Sequence, residues 1–465
     1  MHTPKSGSRR GGNHIVARLW HGWRFAVLAA AAGMAIAASA VPADKAVHQG
    51  VASCAGSTCH GRQQATGPRV RQNEVLTWSD PASVTGVHSR AWRVLNEPRA
   101  QAMGKRLGIA NVAAAKECIG CHGDPAPARG PQWQQSDGVG CEACHGGAER
   151  WLASHASVNA AHADNVARGM WALNDPLVRA GVCLDCHFGA DKPGQFVFHR
   201  IMAAGHPRLT FELDLFTALQ RHHDEDADYK ARKGGAGGVA GGVKIWAVGQ
   251  ALAVERALAL LPVMPAGLTG PDFGFYDCRS CHRTFSDNRA APIAARTNGW
   301  RPIPPGQPVW NDEQLIMLAA AAKVAAPDAA RSFEAQSRAF HTAMAGDRAG
   351  AMKAAATLKA AAATLARRFA SASFDRAQGF ALIDAVLVGN AAAYTDYQGG
   401  AQAVMAADTL LNALVAAGQV DRGAAAAMRP DFERAYALTR DANRWDAAAL
   451  QAALAQIAAR VRGLR

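Results

Sequence analysis

Ten cysteines stand in five pairs, and each pair is followed at once by a histidine. The segments are Cys54-Ala-Gly-Ser-Thr-Cys59-His60, Cys118-Ile-Gly-Cys121-His122, Cys141-Glu-Ala-Cys144-His145, Cys183-Leu-Asp-Cys186-His187 and Cys278-Arg-Ser-Cys281-His282. Two thiols and an imidazole at this spacing suit c-type haem: the thiols bond the vinyl groups, and the histidine binds iron from one face. One turn of helix brings residues three or four apart to one side, where they can lie along one haem edge. The first pair is wider, with four intervening residues. We read Cys54, Cys59, Cys118, Cys121, Cys141, Cys144, Cys183, Cys186, Cys278 and Cys281 as attachment points for five covalently bound haem c groups. His60, His122, His145, His187 and His282 are then the proximal iron ligands. Zinc also takes paired cysteines, and disulfides need no histidine. With 17 histidines in 465 residues, five in five by accident has odds of order one in ten million, so the haem reading is preferred.

Each iron needs a second axial ligand or keeps an open face, and that choice separates carrier from catalyst. Nine further histidines lie beyond residue 40: His48, His88, His155, His162, His199, His206, His222, His223 and His341. Nine suffice to cap five irons. His88 sits in Val87-His-Ser-Arg-Ala-Trp92, His155 follows the third motif by ten residues, and His199 and His206 frame one short segment. These four and His48, six residues before Cys54, form the preferred set, with His162 behind them. Arg200 and Arg208 can pair with haem propionates. Met103 and Met202 are thioether alternatives that would raise a potential. His341 reads as a solvated or core-satisfied residue.

Residues 1–40 read as a secretory signal: Arg9, Arg10, Arg18 and Arg24, an apolar run from Phe25 to Ala38, and Ala38-Ser39-Ala40 as a cleavage site. The expected location is the periplasm. No later segment has the 18 apolar residues of a membrane span. The formal charge of +13 falls to +8 without the signal, which removes Lys5 and four arginines and no acids. Five haems bring about ten propionate charges against up to about five ferric charges, so the mature protein is near neutral. No basic block with interleaved aromatics marks a nucleic-acid surface.

The chain divides into a signal (1–40), a loop-rich multihaem domain (41–310) and an Ala-rich helical domain (311–465). The expected class is mostly α. Haems are expected to supply most of the core of the middle part, so that the apo form folds poorly. Gly234–Gly242 resembles a phosphate loop only superficially, because Ile245 follows Lys244 where Ser or Thr is required. Trp246–Leu261 has a helical apolar pattern. From Asn311 the three- and four-residue spacing predicts five to seven packed helices, with breaks near Pro327, Gly346, Gly399-Gly400, Gly418 and Asp441.

The chain resembles the cytochrome c-554 family of multihaem c-type cytochromes. The segments that carry the resemblance are Val51–Gly61, Thr77-Trp78 with His88–Trp92, Gly138–Gly146 with Trp151-Leu152 and His155, Gly205–Leu213, and Tyr276–His282. It spans roughly residues 48–300. It implies a largely helical periplasmic protein with closely stacked haems, and it makes His88, His155 and His206 plausible distal ligands. The nitrifier member implies a shuttle for electrons from hydroxylamine oxidation. This chain departs from that tetrahaem member in its fifth motif, its wide first motif and its long C-terminal part.

Two functions follow. The first is an electron carrier between redox partner proteins, with the C-terminal helices docking a partner or a second subunit. The second is a multihaem oxidoreductase acting on a small nitrogen or sulfur compound at one five-coordinate haem. No motif has lysine in place of histidine, and Tyr276 beside the fifth motif reads as a packing residue.

Overall fold

The computed structural model describes Met1 and residues 44–65, 71–220, 241–262, 272–282, 301–303, 307–441 and 444–465. The signal of residues 2–40, the glycine-rich stretch through residue 240, His222 and His223 lie outside these. Val41–Arg465 forms one compact unit. Its fold is mostly α, with a single two-stranded parallel sheet of β1 (Val47–His48) and β2 (Ala128–Arg129) among the described residues. No helix among them is long and apolar enough to cross a membrane.

The motif-bearing part consists of short helices joined by turns. They are α1 (Glu74–Ser79), α2 (Pro98–Leu107), α3 (Lys116–His122), α4 (Glu142–His145), α5 (Leu152–His155), α6 (His162–Ala167), α7 (Pro176–His187), α8 (His199–Ala203) and α9 (Leu213–Leu219). Local signals set their ends. Pro98 opens α2 and Gly108 closes it at φ 72°, the left-handed conformation that glycine adopts without strain. Asp175 caps α7 by accepting the Leu177 N–H at 2.8 Å, with Pro176 in the first turn. The apolar core here is slight: Leu95, Ala100 and Val112 form a small cluster of their own.

Helix α10 (Gly242–Leu260) is apolar on every side, and most of its residues are buried, as expected of a helix at the centre of a core. It packs against α7 and α9 and against α11 (Glu313–Ala325), α13 (Arg348–Ser371) and α15 (Tyr397–Ala416). The helices α12 (Pro327–Met344), α14 (Arg376–Asp384), α16 (Arg422–Ala426), α17 (Arg429–Leu438) and α18 (Ala447–Arg462) complete the bundle. One continuous core runs from Ala180 and Leu184 through Trp246 to Leu454 and Val461. Alanine lets the helices approach closely: Ala319, Ala320, Ala321 and Ala322 are all fully buried.

The bundle has eight helices from Asn311 onward among the described residues, one more than the spacing predicts at most. The break expected near Gly399-Gly400 falls at residues 394–396, just before α15, and the two glycines lie in its first turn. Asp396 caps α15 through the Gly399 N–H at 2.8 Å, and a Cβ on Gly400 would lie 2.2 Å from the Trp445 ring. These glycines serve helix entry and close packing.

Candidate haem-binding sites

The second, third and fourth motifs lie on α3, α4 with its N-cap Cys141, and the last turn of α7. The fifth forms a 3-10 turn, Cys278–Ser280, in which the His282 N–H bonds the Cys278 carbonyl at 2.7 Å. The wide first motif is a turn closed by His60 N–H to the Cys54 carbonyl at 3.0 Å. All ten cysteines are free thiols. Among the described residues they form no zinc-like cluster, since the one group of metal-type ligands there is His48, Asp124 and Glu142. Burial pushes the Cys144 thiol up to about 12 and the Cys183 thiol up to about 11.

The motif histidines face other histidines. His60 lies opposite His155 with ring centres 6.2 Å apart, and His122 opposite His206 at 6.3 Å. His187 lies opposite His88 at 6.1 Å, and His282 opposite His199 at 6.1 Å. An iron held between two imidazoles at about 2.0–2.1 Å puts the two nitrogens about 4 Å apart and the ring centres about 6 Å apart. Four gaps of this size, each flanked by a cysteine pair, fit haem with two histidine ligands.

Hydrogen bonds fix which nitrogen is available. Nδ1 of His122 pairs with the Ala91 carbonyl at 2.8 Å, that of His206 with the Pro207 carbonyl at 2.7 Å, and that of His155 with the Leu152 carbonyl at 2.5 Å. His60 Nδ1 pairs with the Glu74 carboxylate at 2.8 Å. With Nδ1 as the donor, Nε2 keeps its lone pair for a metal. Burial, together with the facing His88, lowers His187 to about 4. Burial also lowers His206. Both shifts favour the neutral ring that a ligand must be. The Glu74 hydrogen bond raises His60.

Packing holds these rings. Phe211 and Phe216 lie 5.4 and 5.0 Å from His187, Trp151 lies 5.3 Å edge-on to His155, and Phe273 lies 5.6 Å from His199. Gly120, inside the second motif, is pressed against Gly194; a Cβ there would sit 2.6 Å from the Gly194 backbone. Asp185, inside the fourth motif, is held by Arg256 of α10 at 2.6 Å and Lys192 at 2.5 Å. Of the expected propionate partners, Arg200 lies 3.8 Å from Glu117, and Arg208 reaches Cys278 Sγ at 3.5 Å. Met103 packs against Gly205, and the Met202 methyl against Gly274.

The motifs also meet one another. The Cys54 thiol hydrogen-bonds Cys141, and Cys121 hydrogen-bonds Cys186. Cys144 lies close enough to Cys183 and Cys186 for their charges to act on it. His199 and His206 sit at the two ends of the α8 segment.

His48 does not join these pairs, which corrects its reading as a cap. Its Nδ1 lies 2.9 Å from Asp124 and its Nε2 2.8 Å from Asp44, so neither nitrogen is left for iron. Burial opposes its charge, but the two carboxylates outweigh burial and raise it to about 10. It is a buried imidazolium strut. Nor do His48, Asp124 and Glu142 form a good metal site, because Glu142 already accepts the N–H groups of Gln49, Gly50 and Ala148. His162 opens α6 on the exposed surface. His341 is buried in the bundle 3.5 Å from Asp312, in keeping with a core role. Tyr276 packs edge-on to Trp310 at 6.0 Å.

The sequence reading missed Glu74, Arg256 and the paired aromatics. Only Glu74 carried a signal, as an acid shortly after a motif histidine. These features define a c-type cytochrome, whose chemistry is electron transfer with covalently bound haem c and iron. Residues 55–146 match the family model described as cytochrome c554 and c-prime, so the chain carries a cytochrome c-554 family region from just after Cys54 through the third motif. No curated protein and no solved structure matches the chain.

Proposed function

We propose that the protein is a periplasmic pentahaem electron carrier, exported by residues 1–40. The haem-bearing part spans 41–310 and the helical part 311–465. His60 and His155 would hold the first iron, His122 and His206 the second, His187 and His88 the fourth, and His282 and His199 the fifth. The four imidazole gaps near 6 Å carry this reading. Haem supplies the one-electron couple. The chain orients the axial imidazoles and encloses the haem edges.

The thiol contacts support an order for the wire. Cys54 with Cys141 joins first to third and Cys186 with Cys121 joins fourth to second, while Cys144 is near enough to Cys183 and Cys186 for their charges to act on it, which links third to fourth. The shared α8 segment joins second to fifth. The two ends of the order are then the first and fifth haems. Their second cysteines, Cys59 and Cys281, are the two exposed ones, which suits electron entry and exit toward redox partner proteins.

The test is the low-temperature electron paramagnetic resonance spectrum of the oxidised holoprotein, with a pyridine haemochrome assay for haem content. Five haems per chain are expected, with low-spin ferric signals from the first, second, fourth and fifth. A high-spin signal that responds to nitrite, hydroxylamine or sulfite would instead favour an oxidoreductase with an open iron. Absence of haem from protein matured in a competent host would overturn both readings.

A further inference from the structure

We propose that the haem order has a direction: Glu74 sets the first haem low in potential and Arg208 sets the fifth high, so that electrons enter at the first and leave from the fifth. This rests on the pentahaem reading and adds a polarity to it. One electron passes from a reducing partner protein to the first ferric iron, and one passes from the fifth ferrous iron to an oxidising partner protein. No bond changes and no proton moves.

A fixed charge acts differently on the two oxidation states, because ferrous iron carries one positive charge less than ferric. A neighbouring cation therefore favours the ferrous form and a neighbouring carboxylate the ferric form, most strongly where water is excluded.

The two ends of the order carry opposite charges in direct contact. At the fifth motif, Arg208 Nη1 lies 3.5 Å from Cys278 Sγ, the sulfur that would join the haem edge. Among the described residues, Cys278 is the one motif cysteine that receives a hydrogen bond from a guanidinium. Neutral groups hold Arg208 there: it donates to the Tyr276 carbonyl at 3.3 Å and meets the Asn311 side chain. Gln398 of α15 adds a second N–H donor to the same sulfur at 3.6 Å. The acids of this region are engaged elsewhere. Asp396 and Asp312 pair with Arg301 at 2.6 and 3.1 Å, and Asp277 accepts the Ser280 hydroxyl at 3.3 Å. Glu313 is near enough to feel the charge of Arg208 but forms no ion pair with it.

At the first motif the contact is a carboxylate. Glu74 lies 2.8 Å from Nδ1 of His60, and its side chain is only 11% exposed, so solvent screens it little. No lysine or arginine pairs with Glu74 among the described residues. A carboxylate at Nδ1 makes the imidazole a stronger donor to iron. At the second haem, Nδ1 of His122 and of His206 meets a backbone carbonyl instead.

The experiment is a redox titration of the full holoprotein followed by nuclear magnetic resonance, with haem content counted in parallel. Haem methyl contacts with the Phe273 ring beside His199 and the Trp151 ring beside His155 assign the fifth and first haems in the wild type, so the order is read without a variant. The fifth should have a higher midpoint than the first. Arg208→Gln should lower the fifth alone; a tenfold loss of ferrous preference would read as about 59 mV. Arg208→Lys, which keeps the charge, should hold it near the wild-type value. A first haem at or above the fifth would overturn the proposal. So would a fifth midpoint unmoved by Arg208→Gln, or moved equally by Arg208→Lys, which would mark a packing role. Fewer than five haems in the wild type, or none at Cys278–Cys281, would instead overturn the reading beneath it.

Discussion

The segment from residue 44 to 175 and the bundle after Asn311 are both helical, yet they are held together by different things. In the first, buried apolar side chains are sparse, and Leu95, Ala100 and Val112 make a cluster too small to fold a chain. In the second, Phe333, Phe340, Phe369 and Tyr394 are fully buried among tightly packed alanines. The comparison teaches that the motif region keeps its apolar faces for a cofactor, while the bundle spends its own on itself. Helix α10 lies at the boundary: its side chains belong to the bundle core, while Arg256 grips the fourth motif through Asp185.

The comparison breaks most sharply if haem attachment is withheld. Protein expressed without haem maturation should lose protection from protease over residues 44–175 while retaining a resistant fragment that contains α11–α18. Mass mapping of the fragments checks this. Equal protection of both regions would mean that the motif region has a core of its own.

Within the motif region, removing one facing imidazole is the next largest change. His206→Ala should convert the second haem from low-spin to high-spin and leave the other low-spin signals in place. Paramagnetic resonance reads this directly. An unchanged spectrum would sink the assignment of His206 opposite His122. Within the bundle, the matching test is Gly400→Leu, which drives a side chain into Trp445. Overpacking of this kind costs about 1–3 kcal/mol. A lower thermal midpoint with unchanged haem spectra would confirm that the two regions are packed independently.

His48 provides a smaller test inside the motif region. It is held at about 10, against an ordinary value near 6.5. A histidine raised on folding adds stability that is complete below its unfolded value and fades as pH climbs to its folded value. Between about pH 6.5 and 10 the wild type should therefore lose denaturant resistance relative to His48→Gln. Parallel curves for the two proteins would show that the strut carries no net stability.

The chemistry was legible in the sequence where it depends on local spacing. Five cysteine pairs, each with its histidine, need only adjacent residues, and His88, His155, His199 and His206 stood out by context. What the sequence hid was tertiary. Nothing local says that His155 faces His60 or that His88 faces His187. His48 misled because its position before Cys54 fits a ligand, while the carboxylate that claims its Nδ1 lies 76 residues away at Asp124. Gly399-Gly400 marked the helix break at 394–396 correctly, but nothing local shows that Gly400 is also needed for the close approach of Trp445.

The finest test compares two facing pairs within the motif region. Nδ1 of His60 meets the Glu74 carboxylate, whereas Nδ1 of His122 meets only the Ala91 carbonyl. A charged acceptor draws more electron density into the imidazole and favours ferric over ferrous iron. Glu74→Gln keeps a neutral acceptor of the same reach, so the fold should survive while the first haem becomes easier to reduce. If the ferric preference drops about tenfold, the midpoint rises by about 59 mV. The second haem, which lacks a carboxylate, should not move. A shift of both, or of neither, in spectroscopic redox titrations would show that the potentials are set by burial and neighbouring haems, with no measurable part for the acceptor at Nδ1.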